Sequence, residues 1–112
     1  MHEAQLAQEI LETALAEARQ RGGRLQAVTV ELSKASHESP EALELALQVV
    51  AAGTEAEGVR LEIERVPGRL TCPQCGHEFE AEDVMALCPQ CERLVPHGGH
   101  AHDLRIVAIT LE

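Results

Sequence analysis

Residues 72–91 read Cys72-Pro73-Gln74-Cys75-Gly76-His77-Glu78-Phe79-Glu80-Ala81-Glu82-Asp83-Val84-Met85-Ala86-Leu87-Cys88-Pro89-Gln90-Cys91, and they hold every cysteine of the chain. One tetrapeptide, Cys-Pro-Gln-Cys, opens and closes the stretch, with twelve residues between its two copies. Each Cys-x-x-Cys can turn both sulfurs toward one point, and two such knuckles supply the four thiolates of a closed tetrahedral site. Zinc is the default occupant, because it accepts four sulfurs with no redox demand and no open position. Two disulfides, a thioredoxin-like redox pair and an iron centre are the competing readings. A disulfide framework suits small secreted chains, and a redox motif needs one pair at a helix start rather than a matched duplicate. In the first knuckle Gly76 follows the second cysteine, where a tight turn favours a left-handed residue. Glu92 holds that place in the second knuckle, and the same conformation there costs about 1 kcal/mol or more. Phe79 is expected to pack over the cysteine segment, and Gln74 and Gln90 to be solvated.

Outward from this segment the pattern changes to helices and strands. Upstream, residues 3–20 form an amphipathic helix: Leu6, Ile10, Ala14 and Ala18 recur at i+4 beside Leu11 and Leu15, with Glu9, Glu12, Glu17 and Arg19 opposite. Gly22-Gly23 ends it. Arg24 to Leu32 alternates, with Val28, Val30 and Leu32 on one face, and reads as a strand. Ser39-Pro40-Glu41 starts a second helix, with Ser39 as cap and Pro40 in the first turn, running to about Ala52 before Gly53. Val59 to Val66 alternates again and ends at Pro67-Gly68. Downstream, Leu104 to Leu111 is apolar on both faces and reads as a buried, central strand. The fold class expected is α+β: two helices packed on a small mixed three-stranded sheet, with an inserted zinc-ribbon-like minidomain built on the four cysteines. The domains are then 1–68 plus 103–112, an α/β domain, and 69–102, a zinc-binding domain.

Composition narrows the function classes. The chain has 112 residues, 45% of them hydrophobic, with Phe79 its one aromatic, so the core is built from Leu, Ile, Val and Ala. Such a core leaves little spare burial, and a metal staple supplements it. The formal net charge is −10, with nine basic residues against nineteen acidic ones. A nucleic-acid binder needs Lys and Arg to displace counterions, so nucleic acid is not an expected partner. No membrane span is present, and Met1 to Glu12 carries acids where a signal peptide has basic residues and an apolar run; a cytoplasmic location is expected. No P-loop and no nucleophile with an identifiable base appear, and a closed four-sulfur site offers substrate no position, so an enzyme is not expected.

Two histidine features remain. Met1-His2-Glu3 offers a terminal amine, the amide nitrogen of residue 2 and the His2 imidazole in fused chelate rings, which the amide of Glu3 or a remote side chain can complete. Planar nitrogen sets favour Ni(II) or Cu(II) over tetrahedral zinc, and amides bind only when deprotonated, which makes affinity depend on pH. Alone, this motif is also compatible with a solvated terminal residue. His97, His100 and His102 crowd a glycine-rich stretch of six residues, read with equal weight as an auxiliary metal site or as an exposed loop with weak, opportunistic binding. His37 and His77 read as structural or solvated.

These residues together resemble one family. Met1-His2-Glu3, Glu31-Leu32-Ser33, Ser39-Pro40-Glu41-Ala42-Leu43, Gly53-Thr54, Leu61-Glu62-Ile63-Glu64 with Val66-Pro67, the two knuckles around Phe79, and Leu104-Arg105-Ile106 look like the hydrogenase-maturation nickel metallochaperones HypA and HybF. The resemblance implies a nickel-binding α/β domain with a zinc-ribbon insertion, His2 as principal nickel ligand helped by the backbone of Met1 and Glu3, and structural zinc on Cys72, Cys75, Cys88 and Cys91. It implies delivery of Ni(II) to the [NiFe]-hydrogenase large subunit with a HypB-type GTPase, and leaves urease open as a further recipient and the chain as monomer or weak homodimer. Glu92, Lys34 and the His97–His102 cluster depart from the pattern of many members. Two rivals stand beside this reading: a zinc-ribbon interaction module without metal transfer, and a thiol redox protein.

Overall fold

The computed structural model describes residues 2–36, 38–83, 85–96 and 104–112, giving the backbone alone for His2 and Pro96. The chain runs α1 (His2–Arg21), β1 (Leu25–Ser33), α2 (Pro40–Ala51), β2 (Arg60–Val66), β3 (Gly68–Thr71), β4 (Glu78–Ala81), β5 (Met85–Leu87), β6 (Leu94–Pro96) and β7 (Leu104–Leu111). The helix stops and starts follow local chemistry. At the end of α1, Gly22 takes φ 74° and the amides of Gly22 and Gly23 bond back to Arg19 O and Ala18 O. That pair of bonds is the Schellman arrangement, which a side-chain-free residue adopts without strain. At the start of α2 the Ser39 hydroxyl accepts from Ala42 N at 3.2 Å, and Pro40 begins the helix where no intrahelical amide is needed.

β2, β1 and β7 form a three-stranded sheet in that order. Thr29 Oγ1 donates to Glu62 Oε1, and a few residues further along both strands Lys34 N donates to Val66 O at 2.7 Å. β1 and β2 therefore run parallel, which requires a crossover, and α2 provides it. β7 runs the other way along β1: Arg105 pairs with Glu31 at one end and Glu112 N bonds Arg24 O at the other. The sheet is mixed. Its position for β7 corrects the expectation of a buried, central strand, because β1 is central and β7 lies at the edge. No residue of β7 is fully buried, whereas β1 buries six of its nine. An apolar run records the residues that like burial, not the number of neighbours the topology supplies.

The chain divides into two units, one of 1–30, 38–63 and 106–112, the other of 31–37 and 64–105. In the first, Ile10, Ala14 and Ala18 of α1, Leu43 and Leu47 of α2, and Val28 and Val30 of β1 are buried, and α1 packs on α2. This core is aliphatic throughout, as the composition requires. In the second, β3 pairs with β4 and β5 with β6 as antiparallel hairpins. These four strands of three or four residues have no periodicity of their own to announce them. Their core is Ala35, Leu70, Cys72, Phe79, Ala81, Cys88 and Val95.

Candidate metal centre

Each knuckle sits between the strands of its neighbourhood on the same backbone frame. In the first, Gly76 N bonds Cys72 O at 2.8 Å and Cys72 N bonds His77 O at 3.0 Å. In the second, Glu92 N bonds Cys88 O and Cys88 N bonds Arg93 O, each at 2.8 Å. The two loops are thus one turn used twice, and both end in a left-handed residue, Gly76 at φ 74° and Glu92 at φ 63°. A Cβ is disfavoured there by about 1–2 kcal/mol. Glu92→Gly is therefore expected to raise stability by about 1 kcal/mol. A chemical-denaturation midpoint followed on the second unit checks it; a lower midpoint would show that Glu92 makes a compensating interaction.

The repeated turn brings all four sulfurs together. Every pair lies within 4.8 Å, with Cys72 Sγ 3.4 Å from Cys91 Sγ and Cys75 Sγ 3.6 Å from Cys88 Sγ. Four sulfurs about 2.3 Å from a tetrahedral ion stand roughly 3.8 Å apart, so the cluster has the right size for one. A disulfide would need roughly 2.05 Å. These two close approaches run between knuckles, so an ion at the centre ties the two hairpins to each other. Cys72 and Cys88 are buried, Cys91 is half-buried and Cys75 exposed.

The sulfurs also divide their protons. The Cys75 amide directed at Cys72 sulfur holds that thiol down to about 6, against burial, with help from the Gln74 amide and Cys91. Cys88 is lowered too: burial pushes it up, but the amides of Cys91 and Gln90 outweigh that. Cys91 is pulled down by the Arg93 amide, yet Cys72 and burial push it up to about 11. Cys75 feels the His77 amide pulling down, and burial with Cys88 and Cys72 pushes it up. Within the Cys72–Cys91 pair Cys72 therefore gives up its proton first and Cys91 keeps its own, and an arriving cation displaces the proton of Cys91.

Around the sulfurs the packing is specific. Phe79 is buried in the second unit's core, as expected, and His77 stacks on it with ring centroids 6.2 Å apart and planes 12° apart. His77 is thus structural. Gln74 and Gln90 are exposed. Ser33 enters the sequence pattern only as part of Glu31-Leu32-Ser33, and Ala35 not at all, yet Ala35 is fully buried in the cysteine core and Ser33 Oγ accepts from Ala35 N at 3.0 Å. Gly68 faces them so closely that a Cβ there would overlap both Ala35 Cβ and Ser33 Oγ. Among the described residues, one group of three or more His, Cys, Asp or Glu side chains converges on a metal-sized space, the four cysteines. His2 is the first residue of α1, with Glu3 in the first turn. Met1, the His2 side chain, His37, and His97, His100 and His102 lie outside the described residues.

A protein family described as hydrogenase/urease nickel incorporation, metallochaperone, HypA matches residues 1–111. The chain belongs to that HypA family. A HypA hydrogenase maturation factor of Geobacter sulfurreducens is 37% identical over 108 residues, covering 96% of this chain and 89% of the relative. Its counterpart in Geobacter metallireducens is 35% identical over the whole of both chains. Among solved structures, the Ni metallochaperone HypA from Helicobacter pylori aligns with a TM-score of 0.69 at 15% identity, covering 97% of this chain and 96% of that one. At that identity the likeness is one of fold, the α+β arrangement described above. The family resemblance in the sequence is thereby established, and with it the class: HypA proteins are non-catalytic nickel metallochaperones. Among the described residues no helix is long and apolar enough to cross a membrane.

Proposed function

We propose that this HypA chain carries Ni(II) on nitrogens at its N-terminus while a separate, permanently held Zn(II) fills the four-cysteine cluster. Cys72, Cys75, Cys88 and Cys91 bind zinc; His2 is the principal nickel ligand, with the backbone of Met1 and Glu3 completing a planar set. The observation that supports this division is the sulfur cluster itself. It is closed and sized for a tetrahedral ion, which leaves no route for rapid exchange, so a transferable ion needs another site. Residues 1–68 with 103–112 then serve as the nickel-binding domain and 69–102 as the zinc-binding domain.

Cargo delivery needs partners. A HypB-type GTPase and the [NiFe]-hydrogenase large subunit are the proposed ones, with urease as a second destination and the cytoplasm as the compartment. The outward face of the β5–β6 hairpin suits protein contact: Met85 is paired across from Pro96 and Leu87 from Leu94, and Met85, Leu87 and Leu94 are 50%, 63% and 61% exposed.

Nickel titration of untagged, zinc-loaded protein tests the terminal site. His2→Ala, and separately one extra residue before Met1, should each weaken nickel binding at least about tenfold, or about 1.4 kcal/mol. Equal affinity in all three proteins would assign nickel elsewhere.

A further inference from the structure

The two knuckles share one backbone turn but differ in how far they cover their sulfurs. Cys72 and Cys88, which open the knuckles, are each 1% exposed. Cys91 is half-buried, whereas Cys75 is exposed. Gly76 follows Cys75, and the place a Cβ would take there has nothing within 4 Å, so that side of the knuckle is open to approach. A closed zinc site keeps all four sulfurs as thiolates. Exposure therefore decides which of them a small oxidant meets first. The exposed sulfur also has a partner within reach: Cys88 Sγ, buried in the hairpin core, lies 3.6 Å from it. An accessible thiolate poised beside a second sulfur is the arrangement that oxidation-sensitive cysteines share.

We propose that Cys75 is an oxidation site, attacked by hydroperoxides and resolved by Cys88 into a disulfide that expels the ion. This rests on the zinc reading of the cluster given above. In the first step Cys75 Sγ attacks one peroxide oxygen. An S–O bond forms, the O–O bond breaks and hydroxide leaves, so the sulfur is oxidised to a sulfenic acid and the peroxide is reduced. In the second step Cys88 Sγ attacks the Cys75 sulfur: the S–S bond forms as the S–O bond breaks, and a second hydroxide leaves. Two thiolates and one hydrogen peroxide thus become one disulfide and two hydroxides. The ion keeps two of its four ligands, too few to hold it in a closed site. Both close sulfur approaches run between knuckles, so the new bond joins the hairpins rather than closing one knuckle on itself. A dithiol reverses the change by exchange and restores the site.

The test takes the full, zinc-loaded chain, measures its metal content, and then adds substoichiometric hydrogen peroxide. A chelating dye follows the released ion, and dimedone with peptide mass spectrometry follows the sulfurs. Cleavage at Glu78, Glu80 and Glu82 separates the knuckles, so a bond between them holds two fragments together. Label on Cys75 ahead of the other three is expected, followed by a Cys75–Cys88 bond, with one ion released for each bond formed. Cys75→His leaves three sulfurs and one imidazole, a set that zinc accepts. It should release its ion at least about tenfold more slowly than Cys91→His, which makes the same exchange at the half-buried sulfur. First attack at Cys72, Cys88 or Cys91, a disulfide within one knuckle, or equal release rates from the two variants overturns the proposal. A chain free of zinc before peroxide is added overturns the zinc assignment instead, and the order of attack on the sulfurs then still decides this one.

Discussion

Cys72→Ser is expected to abolish stoichiometric metal binding and to unfold both hairpins of the second unit while α1, α2 and β1 keep their structure. Cys72 is both a ligand and one of the seven residues that make that unit's core, so its loss acts twice. The apparent binding free energy of structural zinc in small domains is about 10–16 kcal/mol near neutral pH, and it enters directly as folding free energy. One aromatic and a few aliphatic side chains bury too little surface to replace it. Metal analysis should fall from one equivalent to a small fraction. In heteronuclear NMR spectra the amides of β3 to β6 should collapse toward unfolded positions, while those of Val28 and Leu43 stay dispersed. Unchanged hairpin signals in the metal-free variant would sink the idea that the ion organises this unit.

Gly68→Val should be the most damaging substitution outside the cysteines, costing about 3 kcal/mol, with Gly68→Ala at roughly half of that. Gly68 begins β3 opposite Ala81, and it is buried against the turn that follows β1. The atoms that a Cβ would meet are Ala35 Cβ, Ser33 Oγ and Ala35 N. Two of them are fixed by backbone, and Ser33 Oγ is held by its bond to Ala35 N, so no flexible side chain can yield. Thermal unfolding of the metal-loaded protein measures the cost. A double variant with Ser33→Gly should recover part of it if the clash with Oγ is real. A wild-type melting temperature for Gly68→Val would mean that β3 can move away freely.

Much of the architecture was readable in advance because it rests on local rules. Gly22-Gly23, Ser39-Pro40 and the alternation around Val28 and Val30 act over a few residues, and the structure places α1, β1, α2 and β2 within one or two positions of the expected bounds. The duplicated knuckle was equally legible from its spacing, whereas it took the structure to show that Glu92 keeps the left-handed backbone of Gly76 despite its Cβ. What escaped was tertiary. The mostly apolar run of β7 looks the same at a sheet's centre and at its edge. The role of Ala35 in the cysteine core, and the need for glycine at 68, arise from segments more than thirty positions apart meeting face to face. The four short strands are held by the sulfur cluster together with Leu70, Phe79, Ala81 and Val95 packed beside it, a combination that strand periodicity does not record.

The pairing of Arg105 with Glu31 spans 74 positions of sequence. Synthesis proceeds at about 5–20 residues per second, so on the ribosome β1 waits roughly 4–15 s for its antiparallel neighbour. The cysteine loops are translated within that interval. Capture of their ion can therefore precede closure of the sheet, so the two knuckles can already be tied together when the last strand leaves the ribosome.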